Sequence, residues 1–153
     1  MAEPLTDARM HHRLIDSFYT EAMLLADEAR SYFDEGGRIE RDALSPMDRV
    51  AFSCESLKVT TRLMHIIAWL LTQRAVIAGE LSLSQALDGS RRLGSAPVSD
   101  GTIVAGLPDQ ARSMIAASVD LHRRVGRLDE AQERQMPIPS PARSMLDRLA
   151  TSF

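Results

Sequence analysis

The chain has 153 residues, 44% of them hydrophobic, which is enough to bury the core of one domain. Its formal net charge of -3 offers no overall positive field, so the composition does not favour nucleic acid as a partner. The single cysteine, Cys54, excludes an intramolecular disulfide framework, and the N-terminal region lacks the basic stretch and apolar run of an export signal. The longest apolar run, LMHIIAWLL over residues 63–71, is far shorter than the roughly 20 residues of a membrane helix. We therefore expect a cytoplasmic protein with no membrane partner.

A first long helix is predicted from about Asp7 to Glu35. Apolar side chains recur there at alternating three- and four-residue steps, which is the spacing of one helical face. They are Leu14, Phe18, Ala22, Leu25, Ala29 and Phe33. Two glycines follow and favour the end of the helix, because glycine readily takes the left-handed conformation that closes one.

A second helix is predicted from Ser45 to about Ala78, since serine is a good N-cap and the following Pro46 suits the first helical turn. It carries two apolar faces. The first face consists of Val50, Cys54, Leu57, Thr61, Met64, Ala68, Leu71, Ala75 and Ala78, and the second of Phe52, Ser56, Val59, Leu63, Ile66, Leu70 and Ile77. Such a helix is expected to pack against more than one neighbour, with any surplus surface covered by a second subunit. Cys54 is expected to be a small buried hydrophobe.

The remaining pattern predicts a loop-rich connection over residues 80–107, with a short helix within 82–93, and a third long helix from about Pro108 to Arg134. Three prolines then forbid a continuing helix. The predicted fold is all-α: a three-helix bundle of long antiparallel helices over residues 1–135, followed by a short, extended, flexible tail over 136–153. The end of the tail is expected to form a small amphipathic turn. Its apolar residues are Met145, Leu146, Leu149 and Phe153.

The histidines do not predict a metal centre or a catalytic site. A di-iron bundle needs glutamate three residues before each histidine, yet His65 and His122 follow Arg62 and Val119 at that spacing. His11 and His12, with Asp16, are interpreted as solvated side chains. Because no spacing suggests a Ser-His-Asp arrangement either, we expect no metal, no cofactor and no enzymatic activity.

A mixed stripe on the second helix is a candidate partner-binding surface. It consists of Lys58, Arg62, His65, Trp69, Thr72 and Val76. Aromatic and arginine side chains supply much of the energy of protein interfaces, which favours Arg62, His65 and Trp69 as contact residues. The alternative is that Trp69 only closes the bundle beneath a loop.

A second class of function is a DNA-binding transcriptional regulator that uses the turn region around Arg91 and Arg92 to contact phosphates. The stretch from Glu80 to Ile103 could form a degenerate helix-turn-helix. Against this interpretation, Gly101, Gly106 and Pro108 interrupt the segment that would have to enter the major groove.

Two stretches carry a family resemblance, FYTEAMLLADEARSYFD at residues 18–34 and SCESLKVTTRLMHIIAWLLTQRAVIAGE at residues 53–80. They resemble a small bacterial family named after the regulator of CtrA degradation and also catalogued as a domain of unknown function. The likeness covers about residues 14–130. It implies a homodimeric three-helix bundle without enzymatic activity. It also implies an adaptor that helps the ClpXP protease select cell-cycle substrates such as a CtrA-type response regulator, together with a partner of the response-regulator type.

The leading hypothesis is therefore a cytoplasmic homodimeric adaptor that raises the effective concentration of two protein partners. The apolar residues of the tail would form a short recognition element. Leu63, Ile66 and Leu70 would form the bundle core or a dimer seam. Neither a nucleic acid nor a membrane is expected among the partners.

Overall fold

The computed structural model describes residues 3–135 and 141–152. All regular structure within these residues is helical, which confirms the all-α prediction for them. The helices are α1 (Glu3–Ser31), α2 (Arg38–Asp42), α3 (Pro46–Ile77), α4 (Leu83–Ala86), α5 (Gly101–Ala105), α6 (Asp109–Gln135) and α7 (Pro141–Thr151).

Helix α1 buries a face that is one residue out of step with the prediction at its N-terminal end. Ile15 is fully buried, whereas Leu14 is 40% exposed, so the prediction of Leu14 as a core residue is wrong. Neighbouring positions on a helix differ in direction by about 100°, so Leu14 and Ile15 face different sides. Ile15 lies on the side of the helix that continues with the buried Phe18. α1 ends in a π-helical turn, Tyr32–Gly36, that buries Tyr32 and Phe33.

The predicted start of the long central helix is confirmed. The backbone N–H of Asp48 donates a hydrogen bond to Ser45 Oγ at 3.2 Å, and Pro46 occupies the first helical position. The helix runs for 32 residues and is followed by Gly79, whose positive φ of 77° closes it. The short helix α2 in the preceding connection was not predicted.

The three long helices α1, α3 and α6 contact one another pairwise and share one core. Helix α3 contributes Val59, Leu63, Ile66 and Leu70, each at most 3% exposed. Leu63, Ile66 and Leu70 therefore lie in the core of a single chain, which is one of the two roles predicted for them.

Within the described residues, most side chains of the first apolar face of α3 are exposed. Val50, Leu57 and Met64 are 62%, 69% and 64% exposed, and Cys54 is exposed as well. The expectation that α3 packs against more than one neighbour is confirmed by its contacts with α1 and α6, whereas the expectation that Cys54 would be buried is wrong. The reason is geometric: α1 and α6 cover the side of α3 that carries Val59, Leu63 and Ile66, while Met64 of the first face borders a cavity that α1 also lines.

The later part of the chain contains more helix than the sequence predicts. The predicted short helix is present as α4, and its N-terminus is capped by a capping box between Ser82 and Gln85. The 11-residue α7 replaces the extended chain expected over its first residues and includes the amphipathic turn expected from Met145, while residues 136–140 and Phe153 lie outside the described residues. Among the helices of residues 3–135 and 141–152, none is long and apolar enough to cross a membrane.

Candidate protein-interaction site

A segment without regular structure, residues 92–100, lies against α3 and α6 and is fixed there by side chains of both helices. We refer to it as the 92–100 segment. Its polar contacts involve Glu55, Lys58 and Arg62 on α3 and His122 and Asp129 on α6. The segment is therefore a structured surface element with defined anchoring points, although its composition predicts only a loop.

Arg62 anchors the middle of the segment. It is 1% exposed, and its guanidinium donates hydrogen bonds to the carbonyl oxygen of Pro97 at 2.9 Å and to Ser99 Oγ at 2.6 Å. A third bond reaches Ser118 Oγ on α6 at 3.2 Å. Burial lowers the pKa of Arg62, and the charge of Glu55 opposes that shift. The planar group with several donors joins α3, α6 and the segment at one point.

Glu55 and Lys58 extend this anchor by one turn of α3. Glu55 is 2% exposed and accepts hydrogen bonds from Ser99 Oγ at 2.5 Å and from Lys58 Nζ at 3.1 Å. The Lys58 ammonium also donates to the carbonyl oxygen of Val98 at 3.0 Å. The buried carboxylate is thus paired and hydrogen-bonded, as a charge inside a protein must be.

A second anchor holds the N-terminal end of the segment through Asp129 of α6. Trp69 Nε1 donates to Asp129 Oδ1 at 3.0 Å, and Arg92 donates to the two oxygens of the same carboxylate at 2.8 and 3.0 Å. Arg92 also donates to Glu133 at 3.0 Å. These hydrogen bonds raise the pKa of Arg92, so the guanidinium stays charged and paired.

Gly94 passes close to two histidines. The carbonyl oxygen of Gly94 lies 2.9 Å from His122 Nε2, and because a carbonyl can only accept, the ring nitrogen donates. A Cβ at position 94 would lie 3.1 Å from His65 Nδ1, a tight contact, so glycine allows the backbone to approach the His65 ring. His65 Nδ1 is buried and has no hydrogen-bond partner in the part of the chain that the structure describes.

The segment presents one apolar side chain to solvent from this fixed backbone. Val98 is 86% exposed, although the carbonyl groups of Pro97 and Val98 are both held from beneath. A shallow pocket of about 290 Å³ lies beside it. Its lining residues are Arg62, Ala96, Pro97, Val98, Ser99, Val119 and His122. An exposed apolar residue on a preorganised backbone loses little conformational entropy when it binds a partner.

The described side chains of α7 offer a second apolar surface. Met145, Leu146 and Leu149 are 69%, 64% and 53% exposed. Their positions along an 11-residue helix put them on one side, with charged residues such as Asp147 and Arg148 elsewhere. An amphipathic helix of this kind can bind in an apolar groove of a partner.

A larger cavity of about 490 Å³ lies where the start of α1 meets the ends of α3 and α6. His11 and His12 line it beside Gln73, which accepts a hydrogen bond from Gln132 Nε2 at 2.5 Å. Burial, with His12 adding to the effect, lowers the pKa of His11. Asp16 is not part of this cluster, because it pairs with Arg74 at 3.2 Å. Within the described ranges, no three His, Cys, Asp or Glu side chains converge on a point where a metal ion could bind.

The structure separates the residues of the predicted partner-binding stripe. Arg62 and Trp69 are buried and support the 92–100 segment from beneath, and His65 is half-buried next to Gly94. Met145, Leu146 and Leu149 are exposed, and Phe153 lies outside the described residues. Sequence reasoning missed Glu55 and Val98. Glu55 is the only carboxylate between Val50 and Ala78, which was a signal for it, whereas nothing local distinguishes Val98 from other loop residues.

The turn region does not have the features of a DNA-reading motif. Helix α5, which would follow the turn, has five residues, so it offers little surface to a major groove. Arg92 is already paired with Asp129 and Glu133, while Arg91 is exposed and donates only a 3.3 Å hydrogen bond to the Gln85 carbonyl within the described chain.

These features define an all-α protein that exposes small apolar surfaces at Val98 and on α7. The chain belongs to the family described as "Protein of unknown function (DUF1465)", whose model matches residues 6–153. It is also similar to the crystal structure of RcdA from Caulobacter crescentus CB15, with a TM-score of 0.64 and 32% identity over 78% of this chain and 90% of that chain. Both matches confirm the family resemblance found in the sequence. A search of curated proteins gives no match.

Proposed function

We propose that the protein is a non-enzymatic cytoplasmic adaptor that helps the ClpXP protease select cell-cycle substrates such as a CtrA-type response regulator. A partner of the response-regulator type would act with it. The observation that carries the proposal is the likeness to RcdA, at 32% identity over 90% of that chain. The family named after the regulator of CtrA degradation implies this role.

The architecture that fits this role is an antiparallel three-helix bundle that forms a homodimer. The pairwise contacts of α1, α3 and α6 support the bundle. The uncovered apolar face of α3 supports the dimer, because large apolar surfaces on soluble proteins usually mark interaction sites.

The 92–100 segment and α7 supply the contacts with partners in this proposal. The segment is a rigid contact, since Lys58 and Arg62 hold the backbone carbonyl groups of Val98 and Pro97, and the Ser99 hydroxyl donates to Glu55. Helix α7 is a second, separate contact, joined to α6 by five residues, 136–140. Two contacts on one chain are what a tether needs, because linking two partners replaces a bimolecular encounter by an intramolecular one.

The experiment is ATP-dependent degradation of a CtrA-type substrate by ClpXP with the response-regulator partner present. Adding this protein is expected to raise the initial rate, and omitting the partner is expected to abolish that increase. A non-adaptor substrate of ClpXP is the control and should be degraded at an unchanged rate. A folded preparation that leaves the rate of the CtrA-type substrate unaltered would contradict the proposal.

A further inference from the structure

The first apolar face of α3, called its outward face below, has no unpaired charged side chain beside it within the described residues 50–78. Between Val50 and Ala78 the charged residues are Glu55, Lys58, Arg62 and Arg74. Glu55 and Arg62 are buried, Lys58 is paired with Glu55 at 3.1 Å, and Arg74 is paired with Asp16 at 3.2 Å. The solvent side of a surface helix normally carries charged residues, so this face has the composition of one that is covered.

The threonine hydroxyl groups on this side of α3 donate hydrogen bonds within the helix and do not need water as an acceptor. Thr60, Thr61 and Thr72 donate to the carbonyl oxygens of Ser56, Leu57 and Ala68 at 3.0, 2.9 and 3.0 Å. Each hydroxyl donor is thus satisfied by its own helix, and the methyl group contributes apolar surface. The face can therefore be buried against a partner without leaving these donors unpaired.

The face follows a strict heptad repeat in which large and small residues alternate. The large residues are Val50, Leu57, Met64 and Leu71, and the small ones are Cys54, Thr61, Ala68 and Ala75. Large residues recur every seven positions, and so do the small ones. Four heptads, about 38 Å of helix, are the length over which such a repeat is typical of a coiled coil.

This alternation is complementary to itself in the antiparallel direction. If Leu71 of one copy lies against Cys54 of a second copy, the same register pairs Met64 with Thr61, Leu57 with Ala68 and Val50 with Ala75. Every layer then combines one large and one small residue, which fills space evenly as knobs in holes. A parallel pair would instead stack small on small in half of the layers and leave gaps.

We propose that two copies of this chain associate through the outward faces of α3, antiparallel, with Cys54 of each copy against Leu71 of the other. The inference rests on the homodimer of the proposed function and specifies its surface, direction and register. The second copy is the occupant because one register of an identical helix matches all four pairs of large and small residues, each of which occurs twice in the symmetric contact. The cations at the edges of the face do not oppose association, since Lys58 and Arg74 are neutralised within their own chain.

The surface is tested with exposed residues, so that folding is preserved. Met64→Glu is expected to weaken the dimer about 100-fold or more, because it brings like charges together at the centre of the contact. Leu24→Glu is the matched control: Leu24 and Met64 are both 64% exposed, but Leu24 lies on α1. Sedimentation velocity of the purified protein reads out the dimer, and circular dichroism confirms the fold. A monomeric wild-type protein, or equal dimers in the wild-type and Met64→Glu proteins, would overturn the inference.

Direction and register are tested by oxidation of cysteine thiols to disulfides with copper phenanthroline. Leu71→Cys is expected to form a disulfide-linked dimer through Cys54 of the other copy, whereas the wild-type protein is not, since its two Cys54 residues would be about 26 Å apart along the axis. Adding Cys54→Ser to Leu71→Cys should abolish the bridge. A Cys54–Cys54 bridge in the wild-type protein, or a bridge that persists in the double variant, would show parallel helices and overturn the proposal.

Both experiments use the protein without protease or substrate. Failure of the dimer inference therefore leaves the degradation assay unaffected, and failure of the adaptor proposal leaves the dimer measurements unaffected.

Discussion

Trp69 and Asp129 face each other across the contact between α3 and α6, with the indole Nε1 donating to the carboxylate at 3.0 Å. The same carboxylate holds Arg92, so one buried acid connects the core to the 92–100 segment. Trp69, the largest fully buried side chain of α3, thus has a structural task beneath the 92–100 segment.

The first prediction concerns this carboxylate. Asp129→Ala leaves the Trp69 N–H and the Arg92 guanidinium without their buried acceptor and is expected to lower the free energy of unfolding by about 2–3 kcal/mol. Glu133→Ala is the control, because Glu133 also pairs with Arg92 but its side chain is 62% exposed. It should cost less than about 1 kcal/mol. Urea denaturation measures both, and equal losses would contradict the assignment of Asp129 as the main anchor.

The second prediction concerns Arg62. Arg62→Met keeps much of the buried side-chain volume but removes the donors to Pro97, Ser99 and Ser118. Cleavage by proteinase K within residues 95–100 is expected to accelerate, since the segment loses its central anchor. Arg91→Met should leave cleavage in those residues unchanged, because Arg91 is exposed and its only hydrogen bond within the described chain reaches Gln85. Unaltered cleavage in the Arg62 variant would contradict the assignment of Arg62 as the central anchor.

The third prediction separates binding from stability. Val98→Glu and Ile39→Glu change residues that are 86% and 85% exposed, so each is expected to alter the free energy of unfolding by no more than about 0.5 kcal/mol. The Val98 variant should stimulate degradation by ClpXP several-fold less than the wild-type protein, whereas the Ile39 variant should retain full activity. Equal activity of the two variants would remove the 92–100 segment from the proposed contact.

The fourth prediction compares two leucines. Leu63→Asp puts a charge into the shared core, where the wild-type side chain is 3% exposed, and is expected to cost more than about 4 kcal/mol. Leu24→Asp, at a position 64% exposed, should cost about 0.5 kcal/mol or less. Thermal denaturation followed by circular dichroism measures the difference. A Leu63→Asp protein that melts with the wild type would contradict the placement of this residue in the core.

The fifth prediction follows from the lowered pKa of His11. The unfolded chain binds a proton at His11 near pH 6.5, whereas the folded chain binds it only at lower pH. This group therefore does not lower the free energy of unfolding above pH 6.5, but lowers it progressively as the pH falls below that value. His11→Gln should reduce the slope of unfolding free energy between pH 7 and pH 5. The corresponding His12 variant, at an exposed position, serves as the comparison. A slope that His11→Gln leaves unchanged would contradict this assignment.

Local patterns predicted the helices well and their environments less well. The Ser45–Pro46 start of α3 is decided within one turn and was predicted correctly. Which of the two apolar faces of α3 is buried depends on where α1 and α6 lie. The exposed face, which contains Val50 and Leu57, is as apolar in sequence as the face that α1 and α6 cover. Periodicity alone therefore could not distinguish core from outer surface.

The candidate site was less accessible to sequence reasoning because its contacts span long separations. Arg62 meets Pro97, and Trp69 meets Asp129. The composition of the stripe indicated an interface, yet Arg62 and Trp69 are buried by contacts within the chain. In α7, the three prolines indicated a break but did not show that a helix would resume at Pro141.

The central claim is that the protein tethers a substrate complex to ClpXP. The most direct measurement is the initial rate at which a CtrA-type substrate is degraded, recorded over a wide range of concentrations of this protein. A tether is expected to raise the rate, reach a maximum, and lower it again in excess, because separate copies then occupy the two partners. The same flat rate at every concentration, with a folded protein and an active protease, would contradict the adaptor role.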